Sequence, residues 1–448
     1  MNCQIRGMSA SLVLLVALAG CATAGQPSSS LRPSASSLAS QGLASAAPSS
    51  AASTEAPTPS STLAWYAHGT IPSAEIKGVV GFAGGYVAIG WRRTVWFSAD
   101  GVTWQAVALP FTVSTDRYGR SLDADVQGIT TNGRQVLVVG GYSHEPCVAP
   151  GAVTTGGGPL CQLAPLAWVS ADGRTWRSAY PGPRPADPPG YSQGSEFVAA
   201  WPVPTGGWDA ALSYWSGESL HGRDLWHSVD GITWAALAPA PALATANADA
   251  FPWVHAGVAD ATGRRILWQG WSDFTEPFPS GAGRPVMTLA TSLDGRSWSI
   301  IDGFPGRDAE VGTGVAPMSG RSTRWVLAGA SNFVDDFTST PTVWSSDDFV
   351  HWTATPLRTE SGSLVRSVSS VILASSGYVA VGAVWDAAQA DHETWVSDDG
   401  LTWVALRRSG APGSSFGPGI VAAGPAGVIG IGPSPTDGEH TSGVWQLR

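Results

Sequence analysis

One ten-residue segment, VWFSADGVTW at Val95–Trp104, returns five more times along this chain. The copies are AWVSADGRTW (Ala167–Trp176), LWHSVDGITW (Leu225–Trp234), LATSLDGRSW (Leu289–Trp298), VWSSDDFVHW (Val343–Trp352) and TWVSDDGLTW (Thr394–Trp403). Each reads as strand, tight turn, strand. A unit of this kind recurring roughly every 50 to 70 residues predicts a ring of repeated sheets, a β-propeller.

The blade follows from what precedes each copy. GVVGFAGGYVAIG (Gly78–Gly90), GITTNGRQVLVVG (Gly128–Gly140), GVADATGRRILWQG (Gly257–Gly270), SVSSVILASSGYVAVG (Ser367–Gly382) and GIVAAGPAGVIGIG (Gly419–Gly432) alternate apolar and small residues around a Gly-bearing turn. Each is a hairpin, and divergent ones are placed at Glu196–Tyr214 and Gly314–Gly329. A blade is therefore four antiparallel strands, A to D, with the repeated segment at the C–D turn. Seven inner hairpins face only six complete segments. The chain ends in GVWQLR (Gly443–Arg448), a C-strand without its D-strand, while LAWYAHGTIP (Leu63–Pro72) reads like the D-strand segment TWQAVALP (Thr103–Pro110). Pairing the C-terminal strand with the N-terminal strand closes an all-β, seven-bladed propeller and removes both open sheet edges.

Bulk properties fit this reading. Charged residues are 13% of 448, with Gly 55 and Pro 33, as many short strands and turns require. A net charge of −10 without clustered Lys and Arg excludes nucleic acid as a partner. The pairs Arg92–Arg93, Arg264–Arg265 and Arg407–Arg408 read as solvated edge charges.

The N-terminus reads as an export signal over 1–20: Arg6, then the short apolar run Ser11–Ala19. It ends in Leu18-Ala19-Gly20-Cys21, which resembles the lipobox of bacterial lipoproteins. That resemblance implies lipidation at Cys21, a membrane partner through the lipid, and an extracytoplasmic location. Residues 21–61 are Ser-, Ala- and Pro-rich and read as a disordered tether with a reach of roughly 35 Å. The propeller is assigned to 62–448. Cys147 and Cys161 bracket a Gly/Pro-rich loop, and an exported pair this close is expected to form a disulfide, stabilising the fold by about 3 kcal/mol. Zinc is the weaker alternative, since His144 is the one nearby further ligand.

In S-x-D-G-x-[ST]-W the Asp can accept backbone N–H groups of its own turn, Gly supplies positive φ, and Trp packs beneath. The segment resembles the Asp-box, or bacterial neuraminidase repeat, of sialidases and other secreted propellers. The resemblance implies that the box is scaffold, remote from any active site, so Asp100, Asp172, Asp230, Asp294, Asp348 and Asp399 are structural. The fifth copy has Phe349 for Gly and His351 for Thr, and its turn is expected to be the least regular. Of 22 tryptophans, Trp65, Trp104, Trp176, Trp234, Trp298, Trp352 and Trp403 belong to boxes. Trp96, Trp168, Trp226, Trp344, Trp395 and Trp445 lie on C-strands. The repeat does not account for Trp91, Trp201, Trp208, Trp215, Trp253, Trp268, Trp271, Trp325 and Trp385.

The A–B and C–D turns read as short in every blade, whereas the D–A and B–C connections vary and share one end of the ring. Variable loops on a rigid scaffold are where binding concentrates. An aromatic opens that face after strand B: Trp91, Tyr142, Trp215, Trp271, Phe333 and Trp385. These are the candidate ligand-binding residues, as stacking platforms for sugars or a partner's apolar groups, with rim packing as the alternative. Trp215 and Trp271 are the preferred pair, lying in the stretch richest in non-repeat tryptophan. The nearby Asp116, Asp123, Asp125, Asp335, Asp336, Asp386, Asp391 and Glu393 show no calcium-loop spacing and read as solvated acids, so no metal and no cofactor is expected.

A sialidase would carry an arginine in an Arg-Ile-Pro motif at the start of the propeller. Here the stretch is His68-Gly69-Thr70-Ile71-Pro72, with Thr in that place, so the bidentate carboxylate clamp is missing. The leading reading is a monomeric, surface-tethered, non-catalytic propeller that binds a glycan or an extracellular protein on its long-loop face. The alternative is a divergent glycoside hydrolase or polysaccharide lyase. No catalytic residue is assigned.

Overall fold

The computed structural model describes residues 63–448 apart from 74, 92, 148–160, 181–193, 217–218, 240–252, 274, 276–277, 279–280, 282, 319–321, 336–337, 360–362, 386–389, 407–417 and 435–440. For Trp215, Trp253, His255, Trp271 and Trp385 the backbone alone is described. The export signal, Cys21 and the tether lie outside these residues.

The chain folds into seven four-stranded antiparallel blades. The first is Ile76–Phe82, Gly85–Gly90, Thr94–Ser98 and Gln105–Ala108. The second and third begin at Ala124–Thr131 and Gly194–Pro202, and are joined by one parallel bridge from Leu163 to Gly194. The fourth, fifth and sixth begin at Trp253–Ala259, Ala309–Val315 and Ser370–Ala374. The seventh takes Ile420–Gly424, Gly427–Pro433 and Ser442–Leu447 from the C-terminus, and Trp65–Ile71 from the N-terminus. Trp65 pairs with Leu447 and Ile71 with Ser442, so the ring closes as the split repeat predicts.

Each blade is apolar on both faces, and one apolar cluster fills each of the seven seams. Val87 and Phe97 of the first blade meet Val138 and Trp168 of the second. Tyr86 and Trp96 meet Ile429 and Val444 of the seventh. Trp65 and Trp445 meet Val379 and Val381 of the sixth. The innermost strands touch in order around the ring, and the last touches the first. Tyr86 reinforces the closing seam: its hydroxyl donates to Gly427 O at 2.9 Å and accepts from Ala426 N at 3.1 Å, and burial pushes its pKa up to about 12.

The boxes are self-contained turns. Asp172 Oδ1 accepts from Arg174 N at 2.8 Å and Thr175 N at 2.6 Å, and Ser170 Oγ donates to it at 3.0 Å. Gly173 holds φ of 73°, and Trp176 Nε1 donates to its carbonyl at 3.3 Å. The same two backbone bonds to the carboxylate recur at Asp100, Asp230, Asp294 and Asp399. The fifth box is not irregular, contrary to expectation. Phe349 itself takes φ of 69°, and Asp348 accepts from Val350 N at 2.9 Å and His351 N at 2.8 Å. Phe349 is buried against Trp325 with Arg264 above its ring, and that packing holds a left-handed backbone that glycine would take freely.

Other expectations are corrected. The A–B turn of the fifth blade is long, running from Val315 to Trp325 with a bridge between Met318 and Ser322. Arg265 is buried, not a solvated edge charge: its Nε pairs with Asp209, which also accepts from His227 Nδ1 at 2.7 Å. Trp201, Trp208, Trp268 and Trp325 are core residues on A- and B-strands.

Deleting Gly443–Arg448 removes Val444 and Trp445 from two seams and leaves Trp65–Ile71 without its partner. Denaturant unfolding should show a loss of more than about 3 kcal/mol, the scale of one large aromatic taken from a core. A truncated chain that unfolds like the full one would refute closure through this strand.

Candidate functional site

Innermost strands run from the loop-bearing end of the ring to the box end, and near their start five of them carry a β-bulge at one equivalent position. The unpaired residues are Lys77, Gln127, Val198, His255 and Gly312, each skipped between two A–B pairs. Bulges re-aim side chains and cluster at barrel rims and binding sites. Two residues before the bulge the chain places Glu75, Asp125, Glu196 and Glu310 in the first, second, third and fifth blades. Their neighbours Ile76, Val126, Phe197 and Val311 are buried in the seams, while the acids are accessible. The loop end of the axis is thus edged by carboxylates from four blades.

Two of the bulge residues tie adjacent blades together. Lys77 Nζ donates to Val126 O at 3.3 Å, lies 3.9 Å from Asp125 Oδ2, and sits 3.7 Å above the centre of the Trp91 ring. Gln127 Nε2 donates to Glu196 Oε2 at 3.2 Å. Glu310 is accessible to solvent, yet the protein crowding around it raises its carboxyl above the ordinary value. The box acids behave oppositely. At Asp172 the Thr175 N–H lowers the pKa to about 2, the largest of its effects; at Asp294 the Ser297 N–H leads and at Asp348 the His351 N–H leads, both downward. At Asp399 burial works upward, but the Thr402 and Leu401 N–H groups outweigh it.

The predicted aromatics lie at this end, but five of the six belong to strand B itself, which with strand C rises above the blade as a ribbon. Tyr142 is in Val136–Cys147, Trp215 in Trp208–Ser216, Trp271 in Arg265–Asp273, Phe333 in Trp325–Asp335 and Trp385 in Gly377–Trp385. Trp91 alone follows its strand, and it is 40% exposed. Tyr142 is half-buried, packing on the first seam and against Phe111 and Tyr180 at 5.8 and 5.7 Å between centroids. Phe333 is half-buried, and its carbonyl accepts from Arg284 Nη1 at 3.4 Å. The side chains of Trp215, Trp271 and Trp385 lie outside the description.

At this end two exposed rings were missed from sequence: Tyr118, 38% exposed, and Tyr180, 51% exposed. Both follow a D-strand instead of a B-strand, in the variable segments that sequence inspection left without aromatics. Tyr118 stands on a small hairpin, Ser114–Thr115 with Ser121–Leu122, between the Arg117 and Arg120 guanidiniums at 5.0 and 5.2 Å.

Several acids expected to be solvated build this hairpin and its surroundings instead. Buried Asp116 accepts from Tyr118 N and Arg120 N at 2.8 Å each, and from Arg120 Nε at 2.6 Å. Asp123 pairs with Arg93 at 2.6 Å. Asp391 is buried and accepts from Leu364 N at 2.6 Å, and Glu393 is buried as well. The side chain of Asp335 and residues Asp336 and Asp386 lie outside the description.

Cys147 and Cys161 form the expected disulfide. Among the described residues, one grouping of metal-type ligands is found, these two cysteines with Asp116, and its sulfurs are joined to each other. Thr70, standing where a sialidase arginine is expected, is exposed on the outermost strand of the seventh blade. A hollow of about 90 Å³ at the box end, lined by Phe97, Asp100 and Arg174, is well below the several hundred Å³ of ordinary ligand sites.

No protein-family model matches this chain, and no curated protein matches its sequence. Among solved structures it is similar to Trypanosoma rangeli sialidase in complex with 2,3-difluorosialic acid, with 13% identity, a TM-score of 0.39, and coverage of 85% of this chain and 54% of that one. An ulvan lyase of polysaccharide lyase family PL25 gives 11% identity and a TM-score of 0.43 over 82% of this chain and 91% of that one. A Hadza microbial sialidase gives 14% and 0.42, over 79% and 73%. The chain spans just over half the length of the Trypanosoma sialidase. These similarities describe the fold and carry nothing about the site.

Opposite shifts give opposite pH dependences. A box Asp, with its folded pKa lowered, contributes stability that is complete above the unfolded value near ~4 and lost as pH falls toward about 2 at Asp172. Glu310, with its folded pKa raised, costs stability once ionised, fully so at neutral pH. Glu310→Gln should therefore raise the melting temperature at pH 7 and lose that advantage at pH 4. Equal shifts at both pH values in calorimetry would contradict the crowding of this carboxyl.

Proposed function

We propose that this protein is held at the outer side of a bacterial cell membrane by a lipid on Cys21 and binds a carbohydrate on its loop-bearing end without chemically altering it. The observation that carries the binding reading is the exposure of Trp91, Tyr118 and Tyr180 at the same end as the polar bulge residues. Flat apolar rings beside hydrogen-bonding groups suit a sugar, which offers both an apolar face and hydroxyls. A protein ligand would use the same rings.

The unlipidated full-length Cys21→Ala protein should bind on a glycan array, and Trp215→Ala/Trp271→Ala should weaken that binding with little change in melting temperature. Trp234→Ala, in a box, should instead cost about 3–5 kcal/mol of stability. If the loop pair destabilises like the box residue, those rings are packing. In cells, Cys21→Ala should release the protein from the membrane fraction or leave it unprocessed; unchanged fractionation and migration would reject the anchor.

One observation favours the second reading, a glycoside hydrolase or lyase. Glu310 holds its proton more tightly than an ordinary carboxyl and shares its ring with Glu196 and Asp125, which is what a general acid requires. Release of reducing ends from an array-positive glycan, abolished by Glu310→Gln, would establish that reading over the binder.

A further inference from the structure

The seam between the third and fourth blades carries buried polar groups that the scaffold does not need. Along Trp208–Ser216, Ala210 and Leu212 pack toward the second blade, and Ala211 packs toward the fourth. Side chains alternate along a strand, so Ser213 faces the fourth blade. Along Arg265–Asp273, Ile266 and Trp268 pack toward the fifth blade and Leu267 toward the third, so Gln269 faces the third. The two enter one seam from opposite walls, each one step nearer the loop end than its apolar layer. Both residues are 2% exposed, and Ser213 Oγ and Gln269 Nε2 have no hydrogen-bond partner among the described residues.

Comparison between blades shows that these are departures from the repeat. The B-strand residue paired just before the bulge is Gly90, Gly140 and Gly329 in the first, second and fifth blades. A Cβ there would come within 2.9, 2.0 and 1.9 Å of the carbonyl oxygens of Glu75, Asp125 and Glu310. The fourth blade places Gln269 at this position. The next residue is Gly141, Gly270 and Ala330 in the second, fourth and fifth blades, and Ser213 in the third. These are two neighbouring positions, held in other blades mostly by glycine or alanine, with Leu212 at the first in the third blade and Trp91 at the second in the first blade; each is polar once, on facing walls of one seam.

We propose that the loop-side end of this seam is a cleft for a neutral, polyhydroxylated ligand, a stretch of uncharged glycan held by Ser213 Oγ and Gln269 Nε2. The hydroxyl donates and accepts, the amide nitrogen donates, and neither carries charge, which matches the hydroxyl and ring oxygens of a sugar. An anionic ligand finds no charged partner in these two groups. Buried polar groups are nearly always paired in folded proteins, so the bonds open here are ones a ligand completes. The proposal rests on the carbohydrate-binding reading above and adds its place and its class.

Calorimetric titration of full-length Cys21→Ala protein with cello-, manno- and galacto-oligosaccharides, and with oligogalacturonate as the charged comparison, tests it. A neutral oligosaccharide should bind, and Ser213→Ala/Gln269→Leu should weaken it about tenfold or more, the effect of two lost hydrogen bonds. The melting temperature of that variant should hold or rise, because two buried groups without partners are gone. Unchanged affinity, a lowered melting temperature with binding intact (the mark of an internal water site), or binding of oligogalacturonate alone would each overturn the cleft. If none of the four probes binds the parent protein, the carbohydrate reading falls and the cleft with it. Should the double variant fail to fold, Gln269→Asn, which withdraws the amide by one methylene, should fold and show the same weakening; full affinity there would also overturn the cleft.

Discussion

Every blade of this protein is apolar on both of its faces, and that single constraint forces the ring. A sheet with one apolar face can stop at a partner; a sheet with two must be followed by another until the first is reached again. The seven seam clusters satisfy this in turn, from Val87 against Trp168 around to Trp65 against Val381. The sharing of the seventh blade between the two ends of the chain is the consequence. Inside that blade the two ends of the chain are locked by a ladder that runs from Trp65–Leu447 to Ile71–Ser442.

Rigidity and freedom divide between the two ends of that ring. At the box end each box turn satisfies its own donors through one carboxylate and one hydroxyl, so the turn itself is closed within its blade. At the loop end the strands are bulged, the ribbons rise to different heights, and side chains such as Lys77 and Gln127 reach across to the next blade. Local self-sufficiency at one end leaves the opposite end free to differ from blade to blade.

The same division decides what could be read from the sequence. The boxes, the split seventh blade and the disulfide are carried by short motifs whose partners lie within a few residues or at a matching repeat, and all three were legible. The bulges were not, because skipping Lys77 or His255 depends on how strand A meets strand B, which no single strand records. Phe349 misled for a related reason: the local rule asks for glycine, and Trp325 with Arg264 overrides it from a distance. Asp391 looked solvated because its backbone donor, Leu364 N, lies 27 residues away, and Asp116 because no repeated motif announces the small hairpin whose turn it closes. Tyr118 and Tyr180 were passed over because the search for aromatics followed strand B alone.

The meeting of the chain ends has a mechanical side. Ala64 and Arg448 exchange backbone hydrogen bonds at 2.8 and 3.1 Å, so both ends leave the ring at one point. A pull on the N-terminal end, against a load held at the far end of the ring, runs along the axis of strand Trp65–Ile71. Its bonds to Ser442–Leu447 lie across that pull and share it together, in shear, instead of opening one by one as in a peel. The strand that completes the fold is also placed where tension is best resisted.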